Sequence, residues 1–378
     1  NLFILLLTRQ KFMSKNKEHK IPILSFFSGG GFMDMGFEQA GFEIVWSNEY
    51  DSDFVQLNQQ GLGHWRKSFN LLNYPFMNNK SILEISCTEI LEEAFGEKVT
   101  DFFGIIGGPP CQDFSMNGKQ KGFGGERGKL TIEFIDKILI LKPSFFVIEN
   151  VPGLIMNKNN KLFYLDLLEK LKVEYHIDMK ILNAIDFGVP QSRKRLFTLG
   201  FKKKVPAIKN FQFSWPLNQK YNGVLHSKNW PKQDVFGLNP AAADGIPLEL
   251  CVISCLVDEK DSSEIPNSNE YFELKTSMEK LNGINEGETC RPSFKRLHRY
   301  RYSPTTCYGN NEVHLHPFKN RRISVREALR IQGVPDSYVL EPTKSLSKKF
   351  KMIGNGVPVP LAMELGKAIL DFIKKEYR

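Results

Sequence analysis

Residues 21–49 read IPILSFFSGGGFMDMGFEQAGFEIVWSNE, and this stretch decides the fold class. The apolar run at 23–27 suits a strand, the glycines at 29–31 suit a tight turn, and a helical segment follows. A second strand at 43–47 then leads to Glu49. Glycines let the backbone approach a ligand, and a carboxylate roughly 20 residues later can accept hydrogen bonds from ribose hydroxyls. Taken alone, the pattern is also compatible with a simple turn after a strand or with a nicotinamide-binding Rossmann unit.

Short apolar runs alternate with helical patterns as far as residue 201. The further expected strands are 102–106, 145–148, 176–182 and 196–201. The expected helices are 129–141, 161–172, 325–331 and 360–375. This alternation predicts an α/β fold in which helices cover a mostly parallel sheet.

The composition changes after the basic run at 202–204, where Pro, Asn, Gly and Ser become more frequent and the periodicity weakens. We expect four parts: a disordered extension at 1–20, an α/β domain at 21–201, a second and less regular domain at 202–316, and a return to the first domain at 317–378. Because the apolar opening is too short to span a bilayer and lacks the features of a cleaved leader, Met13 is the expected natural start.

Bulk properties narrow the class of protein. The chain has 378 residues, and its net charge of +9 is compatible with a polyanionic partner without demanding one. Six scattered cysteines argue against a disulfide framework and favour a reducing cytosol. The spacing of Cys251, Cys255, Cys290 and Cys307 with His314 and His316 fits no standard zinc pattern, so we expect buried structural thiols and no metal.

One cysteine has an unusual setting. GGPPCQDFS, residues 107–115, follows a strand and leads into a loop rich in Gly and Lys. Cys111 therefore stands where core packing is poor and access to a substrate is good. A thiol with a pKa of about 8.5 needs nearby positive charge or helix-terminus amides to become an effective nucleophile.

Three other segments carry polar groups beside apolar runs. IENVPG at 148–153 puts Glu149 at the end of a strand, QSRKR at 191–195 precedes another strand, and IGNGVPVPLA at 353–362 has a glycine turn opening a helix. Each alone is also compatible with a solvated strand end, surface charge or a helix cap.

Taken in this order, the segments resemble the cytosine-5 DNA methyltransferase family, particularly the bacterial enzymes of restriction-modification systems. FSGGG resembles the cofactor loop, PPCQ the nucleophile motif, ENV the acid motif, QSRKR the QxRxR motif, and GNGV the terminal motif. RRISVREALRIQGVPD, residues 321–336, resembles the penultimate motif. The resemblance covers about 22–201 and 317–373 and implies a Rossmann-like S-adenosylmethionine-dependent methyltransferase fold. It also implies that residues 21–201 and 317–378 form the catalytic and cofactor-binding domain and that residues 202–316 form a smaller target-recognition domain.

The resemblance also implies a mechanism. Cys111 would add to C6 of a cytosine flipped out of the duplex, and Glu149 would hydrogen-bond or protonate N3. Arg193 and Arg195 would stabilise the base and the adduct electrostatically. The methyl group would pass from S-adenosylmethionine to C5, leaving S-adenosylhomocysteine.

The implied ligand contacts fall into two groups. The cofactor-binding set is Phe27, Gly29, Gly31, Glu49, Tyr50, Glu84, Ile85, Pro109 and Asn355. The DNA-binding set, in which basic residues would meet phosphates and bases, is Ser115, Asn117, Lys119, Arg127, Arg296, Arg299 and Arg301. Two positions depart from the family pattern, because Phe32 replaces a usual glycine and Gly356 replaces the commoner serine or alanine.

Other activities remain to be weighed. A zinc-dependent cytosine deaminase is set aside, because PPCQDF lacks the second cysteine of PCxxC and no HxE partner precedes it. A tRNA cytosine-5 methyltransferase and an inactive DNA-binding relative stay as alternatives. We expect a bacterial cytoplasmic monomer that acts on the nucleoid, does not bind membranes, and has a possible cognate restriction endonuclease.

Overall fold

The computed structural model describes residues 20–376 except positions 72, 99, 111–125, 204–210, 219, 307, 309–312 and 343, and except the side chains of 126 and 127. Its strands are β1 (Pro22–Phe26), β2 (Glu43–Asn48), β3 (Phe76–Asn78), β4 (Gly104–Gly107), β5 (Phe145–Asn150), β6 (Tyr175–Asn183) and β7 (Lys194–Lys202). They form a sheet of order β3-β2-β1-β4-β5-β7-β6.

Helices flank this sheet, and shorter ones occur in the described residues that follow it. They are α1 (Phe32–Ala40), α2 (Ser52–Ser68), α3 (Cys87–Phe95), α4 (Glu126–Leu141), α5 (Gly153–Met156), α6 (Lys158–Lys172), α7 (Val224–Ser227), α8 (Met278–Asn282), α9 (Val325–Ile331), α10 (Leu346–Asn355) and α11 (Val359–Glu376). Four 3₁₀ turns lie at Ala184–Phe187, Leu248–Leu250, Val252–Cys255 and Glu259–Asp261.

The predicted mostly parallel sheet is confirmed. Strands β1 to β5 pair in parallel, and β7 lies antiparallel between β5 and β6. The order of connection reverses between β1 and β4, which is where open α/β sheets bind ligands, outside the carboxyl ends of the strands. Four of the motifs meet at this edge, because they lie at the ends of β1, β4 and β5 and at the start of β7. They are FSGGG, the described first residues of GGPPCQDFS, IENVPG and QSRKR.

The sheet is covered on both faces. One face carries α1 and α11, whose close approach depends on small residues: a Cβ added at Gly36 would lie 2.5 Å from the Cβ of Ala362. The other face carries α4 and α6, where Phe134 and Leu168 pack with the sheet residue Phe146 in one buried cluster. The segment that begins at 317 therefore returns to the sheet.

The region from 211 to 316 is irregular, with short helices, 3₁₀ turns and isolated bridges. Its backbone carbonyls are partly satisfied by buried arginines. Arg296, fully buried, donates to the carbonyls of Leu281, Ile284, His316 and Lys319. A planar guanidinium with five N–H donors can replace a missing ladder in this way. Within the described residues, no helix combines the length and apolarity needed to cross a membrane.

Candidate active site

The glycine turn after β1 is held from several sides. The N–H of Gly29 donates to Oε2 of Glu49 at 2.9 Å, so the structure brings together the turn and the carboxylate that lie 20 residues apart in sequence. Gly29 and Gly31 have φ values of 53° and 72°, the left-handed region that favours glycine. Asn58 Nδ2 donates to the Gly29 carbonyl at 3.0 Å, and the Tyr338 hydroxyl donates to the Gly30 carbonyl at 2.8 Å. The sequence does not indicate these last two supports, since no local pattern marks them.

Glu49 lies at the carboxyl end of β2 with both oxygens engaged. Its Oε1 accepts the N–H of Asp51 at 2.9 Å, while Oε2 accepts that of Gly29. Burial raises the pKa of Glu49, and the two backbone hydrogen bonds oppose that rise. Each carboxylate oxygen has a second lone pair that can accept a ligand hydroxyl.

The space beside the turn suits a ligand that contains a nucleoside. A Cβ added at Gly29 would meet no heavy atom within 4 Å, so the backbone is open there. Phe27 is half-buried and meets Phe134 edge-on at 5.6 Å, and Tyr50 is 72% exposed. Asn79, which the sequence did not indicate, fixes this rim by donating to the carbonyls of Glu49 and Tyr50. The carboxylate can accept from ribose hydroxyls, the open glycine backbone leaves room for a ligand, and the aromatic surface can pack against an adenine. These residues therefore fit S-adenosylmethionine.

The other expected cofactor residues are less alike in position. Glu84 and Asn355 are exposed, and Pro109 is buried two residues after the end of β4. Ile85 stays a proposed cofactor residue through its backbone, because its side chain is 1% exposed and packs in the core cluster that contains Trp46. Its carbonyl accepts a hydrogen bond from Lys137 at 2.7 Å.

Glu149 and Arg195 meet at the carboxyl edge of the sheet. Glu149 is the fifth residue of β5, and the antiparallel register of β7 places Phe197 opposite Glu149 and Leu196 opposite Asn150. Arg195 Nε consequently lies 2.9 Å from Glu149 Oε1, with both side chains about nine-tenths buried. Burial raises the pKa of the Glu149 carboxyl, and the charges of Arg195 and Arg193 oppose that rise. A raised pKa favours the protonated form of the carboxyl, which is the form that can give a proton.

The segment that leads to the proposed nucleophile lies against this acid. β4 pairs with β5 so that Gly107 faces Ile148, and a Cβ added at Gly108 would lie 2.8 Å from Oε2 of Glu149. Glycine at 108 thus leaves room for the carboxylate. Cys111, Ser115, Asn117 and Lys119, and the side chain of Arg127, lie outside the described residues.

Arg193 has a different position from Arg195. It is fully buried, and its guanidinium donates to the carbonyls of Thr306 at 2.9 Å and Gly354 at 2.7 Å. These bonds tie β7 to the irregular region and to the terminal turn. Direct contact between Arg193 and a substrate is therefore not what the geometry supports, and we assign Arg193 a positioning role.

The expected DNA contacts at Arg296 and Arg299 also need correction. Arg296 is spent on interior carbonyls, and Arg299 is 6% exposed and forms an ion pair with the fully buried Glu286. Both side chains bind partners in the interior, so neither is available at the surface to contact DNA. Arg301 is half-buried and donates to the Pro231 carbonyl at 3.1 Å and to the Tyr302 hydroxyl at 3.2 Å.

Of the four cysteines expected to be buried structural thiols, two have that environment. The expectation was wrong for Cys290, which is exposed, and Cys307 lies outside the described residues. Cys251 and Cys255 are buried, and burial raises the pKa of each to about 12. Thiols with such a pKa are inert as nucleophiles at neutral pH.

Comparisons with known proteins agree with this geometry. Residues 21–371 match the family model described as C-5 cytosine-specific DNA methylase. The chain is 37% identical to the Type II methyltransferase M.NmeDI of Neisseria meningitidis serogroup C, over 96% of this chain and 86% of that protein. It is 32% identical to the Type II methyltransferase M.FnuDI of Fusobacterium nucleatum, over 95% of this chain and 98% of that protein.

Solved structures support the same fold. A prophage protein of E. coli described as a DNA modification methyltransferase superimposes with a TM-score of 0.66 at 23% identity, covering 94% of this chain and 100% of the other. The S. pombe Dnmt2 methyltransferase gives 0.61 at 17% identity, covering 94% and 99%. With the family model matched over nearly the whole chain, the protein belongs to the C-5 cytosine-specific DNA methylase family and is a DNA (cytosine-5) methyltransferase.

Proposed function

We propose that this methyltransferase modifies C5 of one cytosine within a specific sequence of duplex DNA, with Cys111 as nucleophile and S-adenosylmethionine as methyl donor. The observation that carries the proposal is the pairing of Glu149 with Arg195 at 2.9 Å, immediately beside the segment that leads into Cys111. An acid, a fixed cation and a thiol form the minimal set for attack on a pyrimidine ring.

The chemistry follows from the weak nucleophilicity of C5. The Cys111 thiolate adds to C6, forming a C–S bond, while Glu149 delivers a proton to N3 and the ring electrons become an enamine. C5 of this enamine takes the methyl group, which S-adenosylmethionine supplies as an electrophile when bound. A base then takes the C5 proton, the C5–C6 double bond re-forms as the C–S bond breaks and frees the thiolate, and N3 returns its proton to Glu149.

Glu149 and Arg195 divide the electrostatic task between them. Burial raises the pKa of Glu149, which keeps a proton available for N3. The charge of Arg195 opposes the rise in this pKa, and its Nε contact orients the carboxyl. The cation is also placed to stabilise charge on the base, because preorganised charge in a dry site needs no reorganisation during reaction.

Cofactor binding is assigned to the edge formed by β1 and β2. Glu49 would accept hydrogen bonds from the ribose, the Gly29–Gly31 backbone would approach the methionine portion, and Phe27 and Tyr50 would pack against the adenine. The support is the Glu49–Gly29 hydrogen bond and the open space at Gly29. Asn355 and Glu84 remain candidate contacts on exposed surface.

We assign recognition of the DNA target sequence to the irregular region, whose described part is 211–316. It is attached directly to the catalytic motif, because Ser303 pairs with Gln191 and the Thr305 hydroxyl donates to the Ser192 carbonyl at 2.8 Å. Arg301 stays a proposed DNA contact, as do Ser115, Asn117, Lys119 and Arg127. Since one chain supplies every group named, we propose a cytoplasmic monomer acting on the nucleoid, with a cognate endonuclease that cuts the same site when it is unmethylated.

The test is transfer of tritiated methyl groups to unmethylated duplex DNA and, separately, to tRNA, followed by mass spectrometry of the nucleosides. We expect 5-methyl-2′-deoxycytidine in DNA and no label in tRNA. Label in tRNA alone would favour the RNA alternative. DNA binding without transfer, by a protein that also binds cofactor, would favour an inactive relative. Bisulfite sequencing of labelled DNA would then give the recognition site.

A further inference from the structure

Phe32, which follows the glycine turn, lies against Gly356 in the terminal turn. A Cβ added at Gly356 would lie 2.3 Å from Cδ2 and 2.8 Å from Cε2 of the Phe32 ring. No real Cβ approaches a carbon atom so closely. The ring occupies the volume that a side chain at 356 would need.

Gly356 is not required by its backbone conformation. Its φ of −64° and ψ of 152° are extended values that any residue adopts. The usual reason for glycine at a helix end, a left-handed conformation, is therefore absent at this position. Contact with Phe32 is the physical reason the structure offers for glycine here.

Phe32 is also joined to the cofactor turn. It is the first residue of α1, directly after Gly31, and is 1% exposed. Its ring meets the Tyr338 ring edge-on, with centroids 5.4 Å apart, and the Tyr338 hydroxyl donates to the Gly30 carbonyl. Tyr338 in turn lies over Gly61, where a Cβ would come within 2.0 Å of the ring.

We propose that the Phe32–Gly356 pair is a positioning device that sets the separation between the glycine turn and the terminal turn bearing Asn355, and so tunes cofactor affinity. The proposal rests on the assignment of these two turns to S-adenosylmethionine. A larger residue at 356 pushes the ring, and the ring pushes the glycine turn and Tyr338. Loss of the ring removes the spacer.

The test is a double-mutant cycle of Phe32→Ala and Gly356→Ala, with S-adenosylmethionine affinity measured by calorimetry on protein shown to be folded by circular dichroism. In the parent, Gly356→Ala is expected to raise Kd about tenfold or more, the size of coupling typical of residues in contact. In the Phe32→Ala background the same change is expected to alter Kd by less than about twofold. The KM for S-adenosylmethionine should rise with Kd, while kcat at saturation changes little.

Phe32→Val, which also lacks the clashing ring atoms, is a second background in case the alanine variant unfolds. Gly63→Ala is the matched control, because a Cβ there would meet only the Tyr74 ring edge at 3.8 Å. An equal effect of Gly356→Ala in the presence and absence of the ring would overturn the pairing, as would no effect in the parent. Failure of the unmodified protein to bind S-adenosylmethionine would instead contradict the proposed function.

Discussion

Arg195 Nε lies 2.9 Å from Oε1 of Glu149, and both side chains are about nine-tenths buried at the carboxyl edge of the sheet. The contact exists because β7 runs antiparallel to β5, which brings the start of β7 to the end of β5. A buried acid and a buried cation thus lie together, and the charge of Arg195 opposes the rise in the pKa of Glu149 that burial causes.

Replacement of the acid should stop chemistry without emptying the cofactor site. Glu149→Gln keeps the size of the side chain but removes the transferable proton, so kcat should fall by about 10²–10⁴-fold. Single-turnover methyl transfer measures the loss, and calorimetry should give an unchanged affinity for S-adenosylmethionine. A variant with normal turnover would remove Glu149 from the proton-transfer step.

The two arginines of QSRKR should separate by their effects. Arg193→Ala leaves two buried carbonyls without their charged donor and should lower the free energy of unfolding by about 3 kcal/mol. Arg195→Ala should cost roughly 1 kcal/mol or less, because the buried Glu149 can take up a proton, yet should lower kcat about 100-fold. Urea denaturation and single-turnover rates measure the two quantities. Equal losses of stability would contradict the division of roles.

The carboxylate of Glu49 should govern cofactor affinity. Glu49 now accepts hydrogen bonds from two backbone N–H groups, and in Glu49→Gln the amide N–H₂ would face one of these donors. Because the glycine turn then loses that bond, Kd for S-adenosylmethionine should rise about tenfold. Glu43→Gln is the matched control, since Glu43 begins the same strand at the opposite edge. Equal affinity in both variants would argue against a cofactor site at the carboxyl end of β2.

A buried acid below the glycine turn should make stability depend on pH. Asp34 is 1% exposed and accepts from the Ser25 hydroxyl at 2.6 Å, and burial raises its pKa to about 6, with Arg66 opposing the rise. The folded state holds this proton more tightly than the unfolded state, so stability falls as pH rises from about 4 to 6 and stays lower above.

Asp34→Asn removes that titration. The free energy of unfolding of the variant, relative to that of the parent, should therefore be about 1–3 kcal/mol higher at pH 8 than at pH 4. Glu38, whose pKa burial also raises to about 6, keeps a residual slope in the variant. Denaturant titrations across this pH range measure the difference. An unaltered pH profile would show that Asp34 does not titrate there.

The sequence predicted the sheet well because strands buried on both faces are continuous apolar runs. Strand β3 was missed, since its three residues include a half-exposed Phe76 and carry no periodic pattern. Motif residues such as Glu49 and Glu149 were placed correctly at the carboxyl edge, because a strand end fixes the position of the next residue. Their tertiary supports, Asn58 and Tyr338, come from distant segments and carry no local signal.

The arginines show a second limit of sequence reasoning. Arg296 and Arg299 belong to a basic, aromatic segment that suits nucleic acid, yet both serve the interior. An irregular domain has many carbonyls without ladder partners, and long cationic side chains meet that need as readily as they meet phosphates. Composition alone cannot distinguish the two uses.

The most direct test of the central claim is covalent trapping on duplex DNA that contains 5-fluorocytosine in many sequence contexts, with S-adenosylmethionine present. Fluorine at C5 cannot leave as a proton does, so the C–S bond should persist as a complex that survives denaturation. We predict that the complex forms with the unmodified protein and with Cys290→Ser, an exposed cysteine, and is lost with Cys111→Ser. A complex that survives Cys111→Ser, or none from a protein that binds both DNA and cofactor, would contradict the account.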